Sequence, residues 1–199
     1  MPHHDIRELD SQAVRASVAL VSRVTAGDLD KPTPCSPWAL GELLAHMTVQ
    51  HHGFAAAARG GGADPEVWQA PALASDPAAA YAEAADLVIA AFAEDGVLDR
   101  EFSLPEIATS VTFPGRQAIC FHLVDYTVHS WDVARSLGLE PDLDASVLAI
   151  ALKIAEAVPD GPSRLEPGAA FGPGVAVPAG AGTLDRIVSL LGRSPAWPR

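Results

Sequence analysis

The stretch FHLVDYTVHSWDVARSLG, residues 121–138, decides the fold because it predicts one long, mostly apolar helix that ends at Gly138. The helix nevertheless carries two histidines and two aspartates and no lysine. These residues are spaced three, four and three positions apart, so they form one polar stripe with apolar residues on both sides. The pattern indicates a helix packed inside a bundle rather than a solvated face. The stripe consists of His122, Asp125, His129 and Asp132.

The rest of the chain predicts further helices joined by loops. Apolar residues recur at three-to-four spacing over residues 5–25, 38–58, 76–94, 115–137, 143–158 and 183–191. Ser36 is the expected N-cap of the second helix, with Pro37 in its first turn. Between residues 98 and 113, β-branched and aromatic residues around a proline predict a short irregular hairpin.

Helices dominate this pattern, so the predicted fold class is mainly all-α: a helix bundle with short irregular β or loop insertions and a short C-terminal helix. A chain of this length suits one domain, residues 1–199. We expect the bundle over residues 1–160. Residues 161–199 are expected to form a loop rich in Gly and Pro, with one short strand near Val175, then the short helix and a tail.

Composition limits the partners of the chain. Its formal net charge is −12 and it has no basic run, whereas nucleic acids and anionic membranes are bound through clustered Lys and Arg. No apolar run reaches the roughly 20 residues of a membrane span, and the first residues lack a secretory signal pattern. We therefore expect a soluble, cytoplasmic monomer or homodimer that binds a small molecule or another protein. Cys35 and Cys120 are expected to be reduced thiols.

Asp125 and His129, one helical turn apart, are the first candidates for chemistry. A carboxylate packed away from water needs a partner. That partner is either a histidine in a structural hydrogen bond or a bound divalent ion, for which imidazole and carboxylate suit zinc. His46 lies on the apolar face of the second helix and points inward. It is either a hydrogen-bonded core residue or the third ligand of an open metal site.

The remaining polar candidates each have two interpretations. Asp132 either accepts the other ring N–H of His129 or pairs with Arg135 or Arg186. His122 is a fourth ligand or a base, or else it has a packing or rim role. Cys35 and Arg193 also have two interpretations each. Cys35 is a thiol of lowered pKa or a structural residue, and Arg193 meets an anionic substrate or forms a surface salt bridge. Trp38 and Trp131 are expected in the core, His51 and His52 near the surface, and His3 and His4 without a role.

Three motifs, at residues 33–47, 125–138 and 184–197, resemble one known family. They are TPCSPWALGELLAHM, DYTVHSWDVARSLG and LDRIVSLLGRSPAW, and they are similar to motifs of the mycothiol-dependent maleylpyruvate isomerase family, within the DinB/YfiT-like four-helix superfamily. The resemblance implies a DinB-like up-and-down four-helix bundle. It also implies a divalent metal, usually zinc, on His46, Asp125 and His129, and a low-molecular-weight thiol cosubstrate such as mycothiol.

Two departures from the family limit what can be transferred. The acidic ligand of the characterised isomerase resembles a glutamate, and Asp125 is one methylene shorter. That isomerase also resembles a two-domain protein, and we expect no full second domain here. Maleylpyruvate is therefore not transferred as the substrate.

The leading hypothesis is a metal-dependent isomerase or thiol S-transferase in which the metal activates a thiol that attacks a small electrophile. One alternative is a non-catalytic metal-binding or structural helix-bundle module. A metal-dependent hydrolase is the other.

Overall fold

The computed structural model describes residues 5–70, 73–166 and 168–198, and six α-helices make up about half of this part of the chain. They are α1 (Ile6–Val21), α2 (Leu40–Ala58), α3 (Pro77–Phe92), α4 (Gly115–Leu137), α5 (Ala145–Ala157) and α6 (Thr183–Leu190). A two-stranded antiparallel sheet, β1 (Glu101–Ser103) and β2 (Thr112–Pro114), pairs Phe102 with Phe113. The prediction of a mainly all-α, DinB-like bundle with a short hairpin insertion is confirmed.

The four longest helices form the bundle. α1 packs most extensively on α4 and α2 on α3, while α2 and α4 share fewer contacts. α5 lies beside α4 and α1, and α6 packs on α5. Most residues of α4 are buried because neighbours cover it on several sides. None of the described helices combines the length and apolar character needed to cross a bilayer.

Local sequence signals explain most helix ends. The Asp76 side chain accepts a hydrogen bond from the Ala79 N–H at 3.0 Å, with Pro77 in the first turn of α3. Gly138 ends α4 at φ 70°, a left-handed conformation that glycine adopts without the steric cost of a Cβ.

The start of α2 differs from the prediction. Ser36 is not its cap, because the helix begins at Leu40 and the Glu42 carboxylate accepts the Ala39 N–H at 2.9 Å. The preceding loop is instead organised by Thr33. Its hydroxyl donates to the Trp38 carbonyl at 2.8 Å and accepts the Cys35 N–H at 3.1 Å. These side chain to backbone bonds compete with a helical conformation over residues 33–38.

The strand predicted near Val175 is wrong, since residues 168–182 contain no strand in the structure. Val175 donates one backbone hydrogen bond, of 2.9 Å, to the carbonyl of Ser189. The segment is dense in Gly and Pro, and proline removes the N–H donors that a strand ladder needs.

Candidate metal centre

The candidate metal centre lies where α2 faces α4. His46 is in the second turn of α2, and Asp125 and His129 lie one turn apart in α4. One ligand atom from each lies within 4.8 Å of the other two. His129 Nε2 is 3.4 Å from Asp125 Oδ1, and the rings of His46 and His129 meet edge to face with centroids 5.5 Å apart. The fold therefore brings together the three residues that the sequence singled out.

Burial and charge prepare these groups differently. His129 is buried, while His46 and Asp125 are half-buried, so the cluster opens on the side of the latter two. Burial, reinforced by the neighbouring His129, lowers the pKa of His46 to about 4. The imidazole of His46 is consequently neutral at pH 7, the form in which histidine binds metals. Trp38, predicted as core, is only half-buried and lies beside His46, with ring centroids 4.5 Å apart.

Asp132 fixes the orientation of the His129 ring. Its Oδ2 accepts from His129 Nδ1 at 3.0 Å, and the side chain is fully buried. A donated Nδ1–H leaves the Nε2 lone pair facing Asp125 and His46. The cationic partner of Asp132 is Arg193, whose Nη2 lies 3.4 Å from the same Oδ2.

The alternative partners of Asp132 pair elsewhere. Arg135 donates to the carbonyls of Pro195 and Trp197, and Arg186 pairs with Glu156. The interpretation of Arg193 as a surface salt bridge is also wrong, because its side chain is only 6% exposed. Arg193 follows α6 and contacts Asp132 of α4. Because the two residues are far apart in sequence, their spacing did not predict this contact.

Cys35 lies close to His129 and to the Asp132 carboxylate that orients it. Its thiol forms a second group with His129 and Asp132, again with ligand atoms within 4.8 Å. Arg193 Nη2 is 3.4 Å from Cys35 Sγ, so a cation already lies among these three groups. Burial raises the pKa of the Cys35 thiol to about 11 despite the nearby arginine. The interpretation of a lowered pKa is therefore wrong, and the structural interpretation fits. Cys35 and Cys120 are both free thiols.

A further polar pair, which the sequence analysis missed, lies near the opening. Gln50 is one turn after His46 on the same face of α2, and its buried amide donates to the Glu106 carboxylate in the loop between β1 and β2. Partial desolvation of its carboxyl group, together with the charge of Asp125, raises the pKa of Glu106. The signal for Gln50 was its place on the His46 face, whereas nothing in the loop sequence indicated Glu106.

His122 belongs to the stripe by sequence but does not join the metal cluster. Its Nδ1 is 2.7 Å from Asp10 Oδ1 of α1, and its Nε2 is 3.2 Å from His51 Nδ1 of α2. The prediction that His51 lies near the surface is wrong, since it is 0% exposed. His52 is exposed as predicted, while His3 and His4 lie outside the described residues. The position of Asp10 within the apolar stripe of the first helix was the signal that could have indicated its burial.

Comparison with known proteins places the chain in a family. Residues 11–134, which include the candidate ligands, match the family described as the mycothiol maleylpyruvate isomerase N-terminal domain. The chain belongs to this family. It is also similar to two relatives from strains CDC 1551 and H37Rv of Mycobacterium tuberculosis, the uncharacterized proteins MT0763 and Rv0738. Each is 30% identical over 190 residues, which cover 92% of this chain and 94% of the relative. No solved structure is significantly similar to the chain.

The side chains at the centre fit a divalent ion. Ligands held about 2 Å from a tetrahedral ion lie roughly 3.3 Å apart, close to the 3.4 Å between His129 Nε2 and Asp125 Oδ1. Two imidazoles and one carboxylate are a donor set that zinc accepts, and three protein ligands leave one coordination position open. The Asp125 carboxylate, one methylene shorter than that of a glutamate, reaches the Nε2 side of His129.

Proposed function

We propose that the protein is a divalent-metal-dependent enzyme, with zinc on His46, Asp125 and His129, that uses mycothiol or a related thiol as cosubstrate. The reaction would be an isomerisation or thiol S-transfer on a small electrophilic molecule. The observation that carries the proposal is the convergence of these three ligand atoms within 4.8 Å in a chain of the mycothiol maleylpyruvate isomerase family.

Each residue has a separate task in this proposal. His46, neutral at pH 7 because burial lowers its pKa to about 4, offers a lone pair from α2. His129 offers Nε2 while Asp132 holds its Nδ1–H. Asp125 supplies the negative charge that partly balances the ion. When a divalent ion is bound there, it lowers the pKa of a coordinating thiol enough to give a nucleophilic thiolate at neutral pH.

Cys35, the thiol beside the centre, does not fit the role of nucleophile. The pKa of Cys35 is raised to about 11 by burial, so the side chain is protonated at neutral pH and is a weak nucleophile. An added thiol is therefore expected to supply the attacking sulfur. Access is expected from the half-buried side of His46 and Asp125.

Metal content tests the proposal first. Protein produced in zinc-replete medium should contain about one ion per chain by elemental analysis, and His46→Ala should lose it. His52→Ala is the matched control, because His52 is exposed on the same helix. Metal-free wild-type protein would contradict the proposal.

Thiol dependence is the second test. Conversion of an electrophilic α,β-unsaturated acid should require mycothiol and disappear in His46→Ala. Hydrolytic turnover without any thiol would favour the hydrolase alternative. Bound metal without turnover under either condition would favour a binding module.

A further inference from the structure

A chain of three buried ionisable side chains runs across the bundle beside the metal centre. Asp10 Oδ1 lies 2.7 Å from His122 Nδ1, and His122 Nε2 lies 3.2 Å from His51 Nδ1. The exposed fractions of Asp10, His122 and His51 are 1%, 0% and 0%. These three side chains therefore link α1, α4 and α2 away from solvent, and the proposed reaction does not use them.

Charge balance sets the direction of the hydrogen bonds. A net charge on this chain would be costly so far from water, so one proton lies between Asp10 and His122. His122 then donates its Nε2–H to His51 Nδ1. Burial, with the neighbouring His122, lowers the pKa of His51 well below its usual range, which keeps this acceptor neutral. This assignment leaves the Asp10–His122–His51 chain without net charge, with each of its two hydrogen bonds having one donor and one acceptor.

The Asp10–His122–His51 chain has one member on each helix that carries candidate ligands. His51 is five residues after His46 on α2, and His122 is three residues before Asp125 on α4. The His51 ring also stacks on Tyr126, with centroids 4.0 Å apart and an interplanar angle of 7°. Tyr126, next to Asp125, donates its hydroxyl hydrogen bond to the backbone carbonyl of Met47, which follows His46. Two polar links therefore join α2 to α4 close to the ligands.

We propose that the Asp10–His122–His51 chain is a positioning device that holds α2 and α4 at the separation and register required by an ion bound between them. The proposal rests on the proposed metal site. Its physical basis is the directionality of hydrogen bonds. Among the four longest helices, α2 and α4 share the fewest contacts of any pair that packs as neighbours, and apolar contact alone permits small slides that a hydrogen bond resists. Metal–ligand distances tolerate only about 0.2 Å, so such a slide would withdraw His46 from the ion.

The test compares metal binding with stability. His51→Phe keeps an aromatic ring against Tyr126 and removes the acceptor for His122. We expect it to raise the Kd for Zn²⁺, measured by chelator competition, by about tenfold or more. The visible absorption of the Co²⁺-loaded variant should also change, because that spectrum reports coordination geometry. His51→Asn, which places a polar atom near the former Nδ1, should return the Kd to within about threefold of wild type.

Tyr81→Phe is the matched control. Tyr81 is fully buried, and its hydroxyl bonds to Ser17 at 2.6 Å, which links α3 to α1 rather than α2 to α4. This control should lower the free energy of unfolding without changing the Zn²⁺ Kd or the Co²⁺ spectrum. Asp10→Leu, which breaks the chain from its other end, should raise the Kd as His51→Phe does and serves if that variant fails to fold.

The outcomes separate two failures. If wild type binds Zn²⁺ and both disruptive variants bind it as tightly as Tyr81→Phe does, the chain is only structural and this proposal is overturned. If wild type binds no Zn²⁺, the proposed metal site itself is overturned, and the positioning role falls with it.

Discussion

Replacing Asp132 by asparagine should destabilise the metal-free protein and weaken metal binding. Asp132 is fully buried, and its Oδ2 serves both His129 Nδ1 at 3.0 Å and Arg193 Nη2 at 3.4 Å. The amide removes the negative charge and leaves the Arg193 guanidinium buried without its counter-ion. Breaking a buried pair from one side costs about 3–5 kcal/mol. The 3.4 Å separation is long for a charged hydrogen bond, so we expect the lower end, about 3 kcal/mol.

The assay is denaturant unfolding in the presence of a chelator, followed by circular dichroism. Glu156→Gln is the matched control. Glu156 and Arg186 form a pair of similar length, 3.3 Å, but their side chains are 49% and 47% exposed. An exposed pair contributes about 1 kcal/mol or less. If Asp132→Asn and Glu156→Gln destabilise the protein equally, the argument from burial is wrong.

A second experiment tests whether the unpaired Arg193 causes the loss of stability. If the buried charge of Arg193 is the cause, adding Arg193→Met to Asp132→Asn should recover part of the lost stability, as a double-mutant cycle would show. Zn²⁺ affinity should not recover in the double variant, because the carboxylate that orients His129 is still absent. The expected loss of affinity is about 10–100-fold.

Three further predictions concern other groups. The pKa of His46 is lowered to about 4 from 6.5, so between these pH values the folded state binds fewer protons than the unfolded state. The stability of the metal-free protein should therefore fall as the pH drops from about 6.5 towards 4. His46→Gln should reduce the difference between the free energies of unfolding measured at pH 7 and at pH 5. Burial raises the pKa of Cys35 to about 11. Alkylation of Cys35 by iodoacetamide at neutral pH should therefore be at least about tenfold slower than that of a free cysteine, as measured by peptide mass spectrometry. A rate equal to that of free cysteine contradicts this. Gly115→Ala should lower the free energy of unfolding in urea by about 2–3 kcal/mol, because the new Cβ would lie 1.9 Å from the backbone carbonyl oxygen of Val97. Gly61→Ala, with its nearest contact at 3.5 Å, is the tolerated control.

Periodicity predicted the helices and the grouping of ligands, because both depend on local spacing. Asp125 and His129 share one helix, so a 3.6-residue repeat places them together. His46 could be assigned an inward direction from the apolar face of α2. The predicted start of that helix lies before the observed start at Leu40, because the serine and proline that precede it resemble a cap. Hydrogen bonds of the Thr33 hydroxyl instead hold the preceding loop in another conformation.

Long-range partners were not predictable by the same reasoning. Asp10 and His51 reach His122 from two other helices, and a wheel drawn for one helix does not tell which neighbour faces it. Arg193 reaches Asp132 across 61 positions of chain. The single-domain assignment, the division at residue 160, the oligomeric state and the cytoplasmic location stay predictions.

The contact from Arg193 bears on how the protein should be dissected. The family match ends at residue 134, yet Arg193 lies beyond it and its guanidinium touches the carboxylate that orients His129. An expression fragment trimmed to the matched segment would retain every candidate ligand and lose the counter-charge behind them. Such a fragment is a poor surrogate for the whole chain in metal-binding work. A bulky C-terminal fusion also carries a risk, because the residues after Arg193 pack close enough for Arg135 to bind two of their carbonyls.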